Sequence, residues 1–263
     1  MLTIDIGNSR IKWARFQGGE IVSHRVQEYS ADSFEAALNN AELPSGESPL
    51  MISHVAGERL RKRLVRALEG KGFENASFAQ TRVQQGGVSN AYAIPDNLGV
   101  DRWLAMIAAF QSPLKKQGEA VCVIDCGTAT TLDVVDVQGK HLGGMIMPGL
   151  QTMYTSLISS ASRIQMDKNS GSDLLLNSNL ASSTERAVKQ GCQQMMLEGL
   201  SGIVAEQKQG IKGAMRCLVT GGDGRWVSRA LKHQNTYEPF LVHYGLHLVA
   251  SETRSMPLRG LTE

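Results

Sequence analysis

Two carboxylates in matching settings are the first candidates for chemistry. Asp5 lies in Ile4-Asp5-Ile6-Gly7-Asn8-Ser9, and Asp125, 120 positions later, lies in Ile124-Asp125-Cys126-Gly127-Thr128-Ala129. Each acid closes an apolar β-type run and is followed by a glycine turn carrying small hydroxyl or amide side chains. A second apolar stretch follows each turn, with Gly19 and Gly139 at the same offset from their acids. Glycine lets backbone N–H groups approach a phosphate, and a strand-end carboxylate can hold a cation against phosphate oxygens. Lys12, in Arg10-Ile11-Lys12, adds a positive charge in the first copy. An acid ending the buried run Val121–Ile124 is costly unless a cation or hydrogen bonds compensate it. The repetition points to phosphoryl transfer or nucleotide hydrolysis.

Three further segments carry chemical potential. Gly143-Gly144-Met145-Ile146-Met147-Pro148-Gly149-Leu150 suits a strand that passes close to a ligand and turns into a helix, whose N-terminal dipole favours an anion; a plain strand-to-helix turn reads equally well. Thr220-Gly221-Gly222-Asp223-Gly224 follows an apolar strand and precedes a helix, where glycines admit a base or phosphate, or simply form a loop. Leu98-Gly99-Val100-Asp101-Arg102-Trp103 places an acid and a guanidinium in the first turn of a helix. Asp101 suits that position as a cap or as a base that orients an alcohol. Arg102 opposes the helix dipole there, so an anionic partner is expected, such as a carboxylate. The histidines show no metal spacing: His243 and His247 are four apart on a predicted helix but lack a third ligand. There is no Walker A sequence and no nucleophile elbow.

The elements that must position these groups follow from periodicity. Strands are predicted at Leu2–Ile6, Ile11–Phe16 and Glu20–Val26, with Gly18-Gly19 turning the last pair. A helix from about Ala31 to Asn40, a loop over Leu43–Pro49, a strand at Leu50–His54 and a helix at Arg59–Leu68 follow. Leu60, Leu64 and Leu68 mark that helix's buried face. Its arginines lack interleaved aromatics and read as a solvated face rather than a nucleic-acid contact. After the polar stretch Lys115–Gly118 the order restarts: strands at Ala120–Asp125, Thr130–Val137 and His141–Met147. Helices are expected at Gly149–Ser162, Ser183–Gln209, Arg225–Lys232 and Val242–Ser251, with a strand at Arg216–Thr220. The expected division is therefore residues 1–117 and 118–263, two α/β domains across a cleft. Cys122, Cys126, Cys192 and Cys217 show neither C-x-x-C nor metal spacing, and read as small buried hydrophobes.

Composition agrees with a globular chain: 263 residues, 42 % hydrophobic and 20 % charged, with a formal charge of +2 that advertises neither a nucleic-acid nor a membrane surface. The opening MLTIDIG lacks a basic segment followed by an apolar one, and no apolar run approaches the roughly 18 residues a membrane span needs. A cytoplasmic protein is expected.

Taken in order, these motifs make the chain resemble the type III pantothenate kinases of the acetate and sugar kinase/Hsp70/actin superfamily. The family's D-x-G-N-[TS]-x-x-K is met by Asp5–Lys12, its G-x-D-R by Gly99–Arg102, its D-x-G-T-A-[TL]-T by Asp125–Thr131 and its G-G-x-I-x-P-G by Gly143–Gly149. The resemblance implies a duplicated ribonuclease H-like (actin-like ATPase) fold, with two α/β domains flanking a nucleotide cleft. It also implies ATP-dependent phosphorylation of (R)-pantothenate to 4′-phosphopantothenate, the entry step of coenzyme A synthesis. Asp5, Ile6, Gly7, Asn8, Ser9, Arg10, Ile11 and Lys12 would then bind ATP, with Asp5 near Mg²⁺, and Thr128 would contact the nucleotide. Asp101 would be the catalytic base. Tyr92, Gly99, Val100, Asp101, Arg102 and Thr184 would bind pantothenate; Ser183 stands where many members carry Asn. Asp125 would hold a monovalent cation, K⁺ or NH₄⁺. A homodimer is expected, with Met195, Met196, Leu200 and Ile203 of the long helix either at its interface or in the core. Two other readings share much of this pattern: an actin-like nucleotide-binding regulatory module, which has no need of Gly99–Arg102, and a related kinase for another small alcohol.

Overall fold

Alternation along the first strand separates core from chemistry. In β1 (Leu2–Ile6) the side chains of Leu2, Ile4 and Ile6 enter a hydrophobic core, while Thr3 and Asp5 take the opposite face. The structure is a computed structural model and describes residues 1–30, 32–40, 43, 49–73, 76–160 and 180–255. β2 (Arg10–Gln17) and β3 (Glu20–Glu28) pair antiparallel beside β1. Gly18 and Gly19 join them at φ 61° and 88°, the left-handed pair that a two-residue hairpin requires. α1 (Phe34–Asn40), β4 (Leu50–His54), α2 (Glu58–Glu69) and β5 (Ala76–Phe78) complete a five-stranded sheet of order β3-β2-β1-β4-β5, in which β4 and β5 run parallel to β1. A small hairpin, β6 (Gln84–Gln85) and β7 (Val88–Ser89), then leads to α3 (Val100–Gln111).

The second half repeats the plan. β8 (Ala120–Cys126), β9 (Ala129–Val135) and β10 (His141–Pro148) are antiparallel neighbours. After α4 (Leu150–Ser160) and α5 (Thr184–Gly210) come β11 (Met215–Thr220), α6 (Gly224–Ala230) and β12 (Thr236–Tyr237). The order β10-β9-β8-β11-β12, with β11 and β12 parallel to β8, is that of the first sheet strand for strand. Cys122, Ile124 and Cys126 share one core with Cys217, Cys192 and residues of α4, α5 and α6. All four cysteines are free and buried, as expected of small hydrophobes. Met196 and Leu200 belong to this core, whereas Met195 is 62 % exposed.

By internal contacts one unit comprises Met1–Ser112 together with the chain from Phe240, and the other Pro113–Pro239. The first changeover falls just before the expected 117/118 division; the second differs from the expected 118–263. The last helix, α7 (Leu241–Ser255), packs on α3 and on β1, β4 and β2 of the first unit. Leu241, Leu246 and Val249 are buried there, and Gly245 lets the two helix backbones touch: a Cβ on it would sit 2.3 Å from the Leu104 carbonyl oxygen.

Most other boundaries shift by a residue or two. α1 starts at Phe34, not near 31, because the Ser33 carbonyl accepts the first helical bond, from Ala37. Position 31, loop residues 44–48 and the last two positions of the helix expected over 149–162 lie outside the described residues. On α2, Leu64 and Leu68 are buried while Arg59, Lys62 and Arg66 are exposed. Arg61 and Arg63 pair with Glu58 and Glu35. Among the described residues no helix is long and apolar enough to cross a membrane.

Candidate active site

Asp5 sits on β1 opposite Lys12 of β2 and beside Ser53 of β4. Only 4 % exposed, it holds the Lys12 ammonium 3.3 Å from Oδ2, while Oδ1 is buried without a hydrogen-bond partner. A carboxylate oxygen left bare in this way fits a cation or a cation-bound water as its missing partner. The turn that follows is closed by Gly7 N–H donating to the Arg10 carbonyl at 3.1 Å. Tyr29 braces it, with its hydroxyl donating to the Gly7 carbonyl and its N–H to the Ser9 carbonyl. Burial first, and then the Asp5 charge, push the Tyr29 phenol's pKa up, which keeps it a donor. Gly7 has no left-handed φ, and a Cβ there would meet only the Arg10 carbonyl at 3.9 Å. The fold itself does not demand glycine, so the open space above the turn suits an approaching phosphate.

Of the rest of this segment, Asn8 and Ser9 are exposed at the turn. Arg10 pairs with Glu28 at 2.9 Å, and Ile6 and Ile11 are buried in the core, where only their main chain can serve a ligand. At the same sheet end, where β1, β4 and β5 finish, a cavity of about 300 Å³ is lined by His54, Val55, Glu58, Arg61 and Phe78. Ligands of open α/β sheets bind at such carboxyl ends.

The second unit assembles three of the motifs at one point. Asp125 on β8 lies between Thr131 of β9 and Thr220 of β11. Its turn is one residue tighter than the first, with Gly127 N–H donating to the Ala129 carbonyl. Gly149, which opens α4, packs against this turn so closely that a Cβ would sit 2.1 Å from the Gly127 carbonyl oxygen. The Thr128 carbonyl accepts from Gly149 N–H at 3.0 Å and from the Thr152 hydroxyl at 2.6 Å. Gly221, at φ 91°, touches the acid itself: a Cβ would lie 2.4 Å from Asp125 Oδ1 and 2.4 Å from the Cys126 carbonyl oxygen. Asp223 N–H donates to that same carbonyl. Gly143 lies at a bulge in β10 at φ 118°, and no protein atom comes within 4 Å of a Cβ built there. Among the described residues no group of three or more His, Cys, Asp or Glu side chains could hold a metal.

The third cluster lies in the first unit, at the start of α3. Asp101 Oδ1 accepts the Arg102 N–H at 2.8 Å and lies against Gly99, where a Cβ would come within 2.7 Å of it. Arg102, 7 % exposed, donates from Nη1 to the Tyr92 hydroxyl at 3.2 Å, its guanidinium 5.9 Å from the ring centre. Asn90 fixes the tyrosine's loop by accepting the Tyr92 N–H at 2.9 Å, and the Thr81 hydroxyl donates to the Leu98 carbonyl at 2.9 Å. Gly86 of the β6–β7 turn packs on Ile107, and Gln111 donates to its carbonyl, anchoring the loop to α3. Tyr92, Gly99, Val100, Asp101 and Arg102 are thus one group. Thr128 and Thr184 are exposed in the other unit, Thr184 as the first residue of α5.

Two features escape the motifs. Ser53 stands beside Asp5 on the strand equivalent to the one that carries Thr220 beside Asp125, which aligning the two halves would have revealed. The histidines of α7 serve packing: buried His243 bonds to Thr3, and half-buried His247 stacks on Phe16 at 4.5 Å.

A family model described as type III pantothenate kinase matches residues 1–206. A type III pantothenate kinase from Nitrosococcus oceani is 33 % identical over 258 residues, which span 96 % of this chain and 94 % of the relative. Two solved structures share the fold. A Baf family protein from Campylobacter jejuni has a TM-score of 0.59 at 22 % identity, covering 97 % of this chain and 100 % of its own. MreB5 of Spiroplasma citri bound to ADP has 0.51 at 10 %, covering 98 % of each.

Proposed function

The chain belongs to the type III pantothenate kinase family, and from that membership we propose how its own residues perform the reaction. The activity is ATP-dependent phosphorylation of pantothenate, which belongs to coenzyme A biosynthesis. The observation that carries our residue assignments is the cluster of Tyr92, Gly99, Asp101 and Arg102, in which the acid accepts the Arg102 main-chain N–H beside Gly99 and the buried guanidinium donates to the tyrosine hydroxyl.

In this reading the pantothenate carboxylate lies at Arg102 and Tyr92, whose donors suit an anion. Gly99 and Val100 border the substrate, and Thr184 contributes a hydroxyl. Asp101 orients the primary alcohol. As that oxygen bonds to the γ-phosphorus and the bond to the β,γ-bridging oxygen breaks, Asp101 takes the alcohol proton and ADP departs. Such transfers pass through a loose transition state, so positioning and charge neutralisation matter more than early deprotonation. The Gly7 turn and Lys12 bind the phosphate tail from the Asp5 side, and Thr128 contacts the nucleotide. Kinases of this kind use ATP with a divalent metal. We assign Mg²⁺ to the Asp5 carboxylate, supported by its bare Oδ1, and a monovalent cation, K⁺ or NH₄⁺, to Asp125. When bound, these cations offset the charge spread over the phosphoryl oxygens. A cytoplasmic homodimer completes the reading, with the exposed Met195 on α5 available to a second copy.

The test is an ADP-release assay with ATP and pantothenate, glycerol or sugars, in potassium, ammonium or sodium salts. Turnover with pantothenate alone, supported by potassium or ammonium but not sodium, is expected. Turnover with glycerol or a sugar and none with pantothenate would move the substrate elsewhere. Equal rates in all three salts would remove the monovalent cation from Asp125.

A further inference from the structure

The C-terminal helix lies beyond the residues the family model matches, yet it reaches the strand that carries Asp5. His243, 3 % exposed on α7, has Nδ1 2.8 Å from the hydroxyl of Thr3, which is itself fully buried. Thr3 spends its single hydroxyl proton on the Ala14 carbonyl of β2 at 3.1 Å. The hydroxyl oxygen must therefore accept from His243, which fixes the imidazole as the Nδ1–H tautomer. The chain of bonds His243–Thr3–Ala14 ties α7 to both strands of the hairpin. Thr3 and Asp5 share a face two residues apart on β1, and Ala14 and Lys12 stand in the same relation on β2. The tie lies one pleat below the Asp5–Lys12 ion pair.

We propose that His243 is a positioning residue for the phosphate-binding element: by donating to Thr3 it fixes the β1–β2 hairpin in the register and tilt that present Asp5 and Lys12 to ATP. The inference rests on the reading that this hairpin binds ATP. Three observations support it. Both bonded side chains are buried, so water cannot substitute for either partner. The groups that act electrostatically on the imidazole are Asp5, Lys12 and His24, and burial holds it neutral, so it adds no charge beneath the ion pair. His243 also sits two residues before Gly245, whose contact with Leu104 sets how deeply α7 seats.

The test measures ATP dissociation constants by titration calorimetry, together with kcat at saturating ATP and thermal melting, for the full chain and three variants. His243→Leu keeps the bulk and removes the donor; His243→Asn restores a donor near the Nδ1 position; Thr3→Val removes the acceptor. The expected result is ATP binding weakened about fivefold in His243→Leu and Thr3→Val, the worth of one net hydrogen bond. Binding by His243→Asn should stay within about twofold of the parent, and kcat should be nearly unchanged in all three. Parent-like binding in a folded His243→Leu protein, or an equal loss in His243→Asn, overturns the inference. Should His243→Leu fail to fold, Thr3→Val decides in the same way. A parent protein that binds no ATP would instead defeat the reading of the hairpin itself.

Discussion

Gly221 is where a single methyl group should cost most. Its φ of 91° is a conformation that L side chains rarely adopt, so alanine carries backbone strain of about 1–2 kcal/mol. Its Cβ would also lie 2.4 Å from Asp125 Oδ1 and from the Cys126 carbonyl oxygen, where ordinary contact begins at 3.4 Å. The carboxylate, the β8 carbonyl or the Gly221 loop must therefore move by about 1 Å, which at other overpacked sites costs about 1–3 kcal/mol. Together these terms predict a loss of roughly 2–5 kcal/mol and a melting temperature lower by on the order of 10 °C. On the role proposed for Asp125, an error of about 1 Å in its placement should lower turnover about 10²-fold. Gly143→Ala separates the two causes, because Gly143 has φ 118° but nothing within 4 Å of its Cβ. It should show the strain without the displacement: a melting point a few degrees lower and near-normal turnover. Thermal melting and ADP release on both variants supply the comparison. If Gly221→Ala matched Gly143→Ala in activity, the close approach to Asp125 would have no bearing on function.

Other expectations are narrower. Tyr92→Phe removes the hydroxyl that accepts from Arg102 and should raise the pantothenate KM about tenfold with little change in kcat; an unchanged KM in steady-state kinetics would take Tyr92 out of the substrate site. His243 has its folded pKa pushed down to about 4, chiefly by burial, so on acidification the unfolded chain takes up its proton first. The resulting stability is complete above the ordinary value of about 6.5 and is lost as pH falls toward 4, by up to about 3 kcal/mol. Denaturant melts of the parent and His243→Asn between these pH values should diverge accordingly, and parallel curves would refute it. Gly199, exposed in mid-α5 with open space around its Cβ, should accept alanine with a gain of about 0.5–1 kcal/mol, readable as a melting point higher by roughly 2–3 °C.

The repeat was legible because two short signals recur at one spacing, and each turned out to open a sheet of identical strand order. The long strands and α2 declared themselves by period, since each hides one face. β5 and β12 did not: three and two residues long, they carry no alternation and exist by pairing with β4 and β11. The path of α7 was also hidden. An amphipathic helix shows that it packs, not against what, and its partner α3 lies far away in sequence. For the site, Gly149 and Gly221 could be read as glycines that admit a ligand, yet much of their need is internal, because they pack against the Gly127 turn and Asp125. Gly7 is the reverse case, a glycine the folded chain does not itself require. The Lys12–Asp5 pair and the Tyr92–Arg102 bond depend on rotamers and loop paths that no spacing encodes.

Asp101→Asn offers the sharpest trial of the catalytic assignment. The substitution keeps the size of the side chain and an oxygen that can accept from the Arg102 N–H, so the start of α3 should be undisturbed. Calorimetric ATP affinity should remain within about twofold of the parent while kcat for pantothenate phosphorylation falls by about 10²-fold or more. Unimpaired turnover in the folded variant would show that the alcohol proton leaves by another route and that Asp101 is not the base.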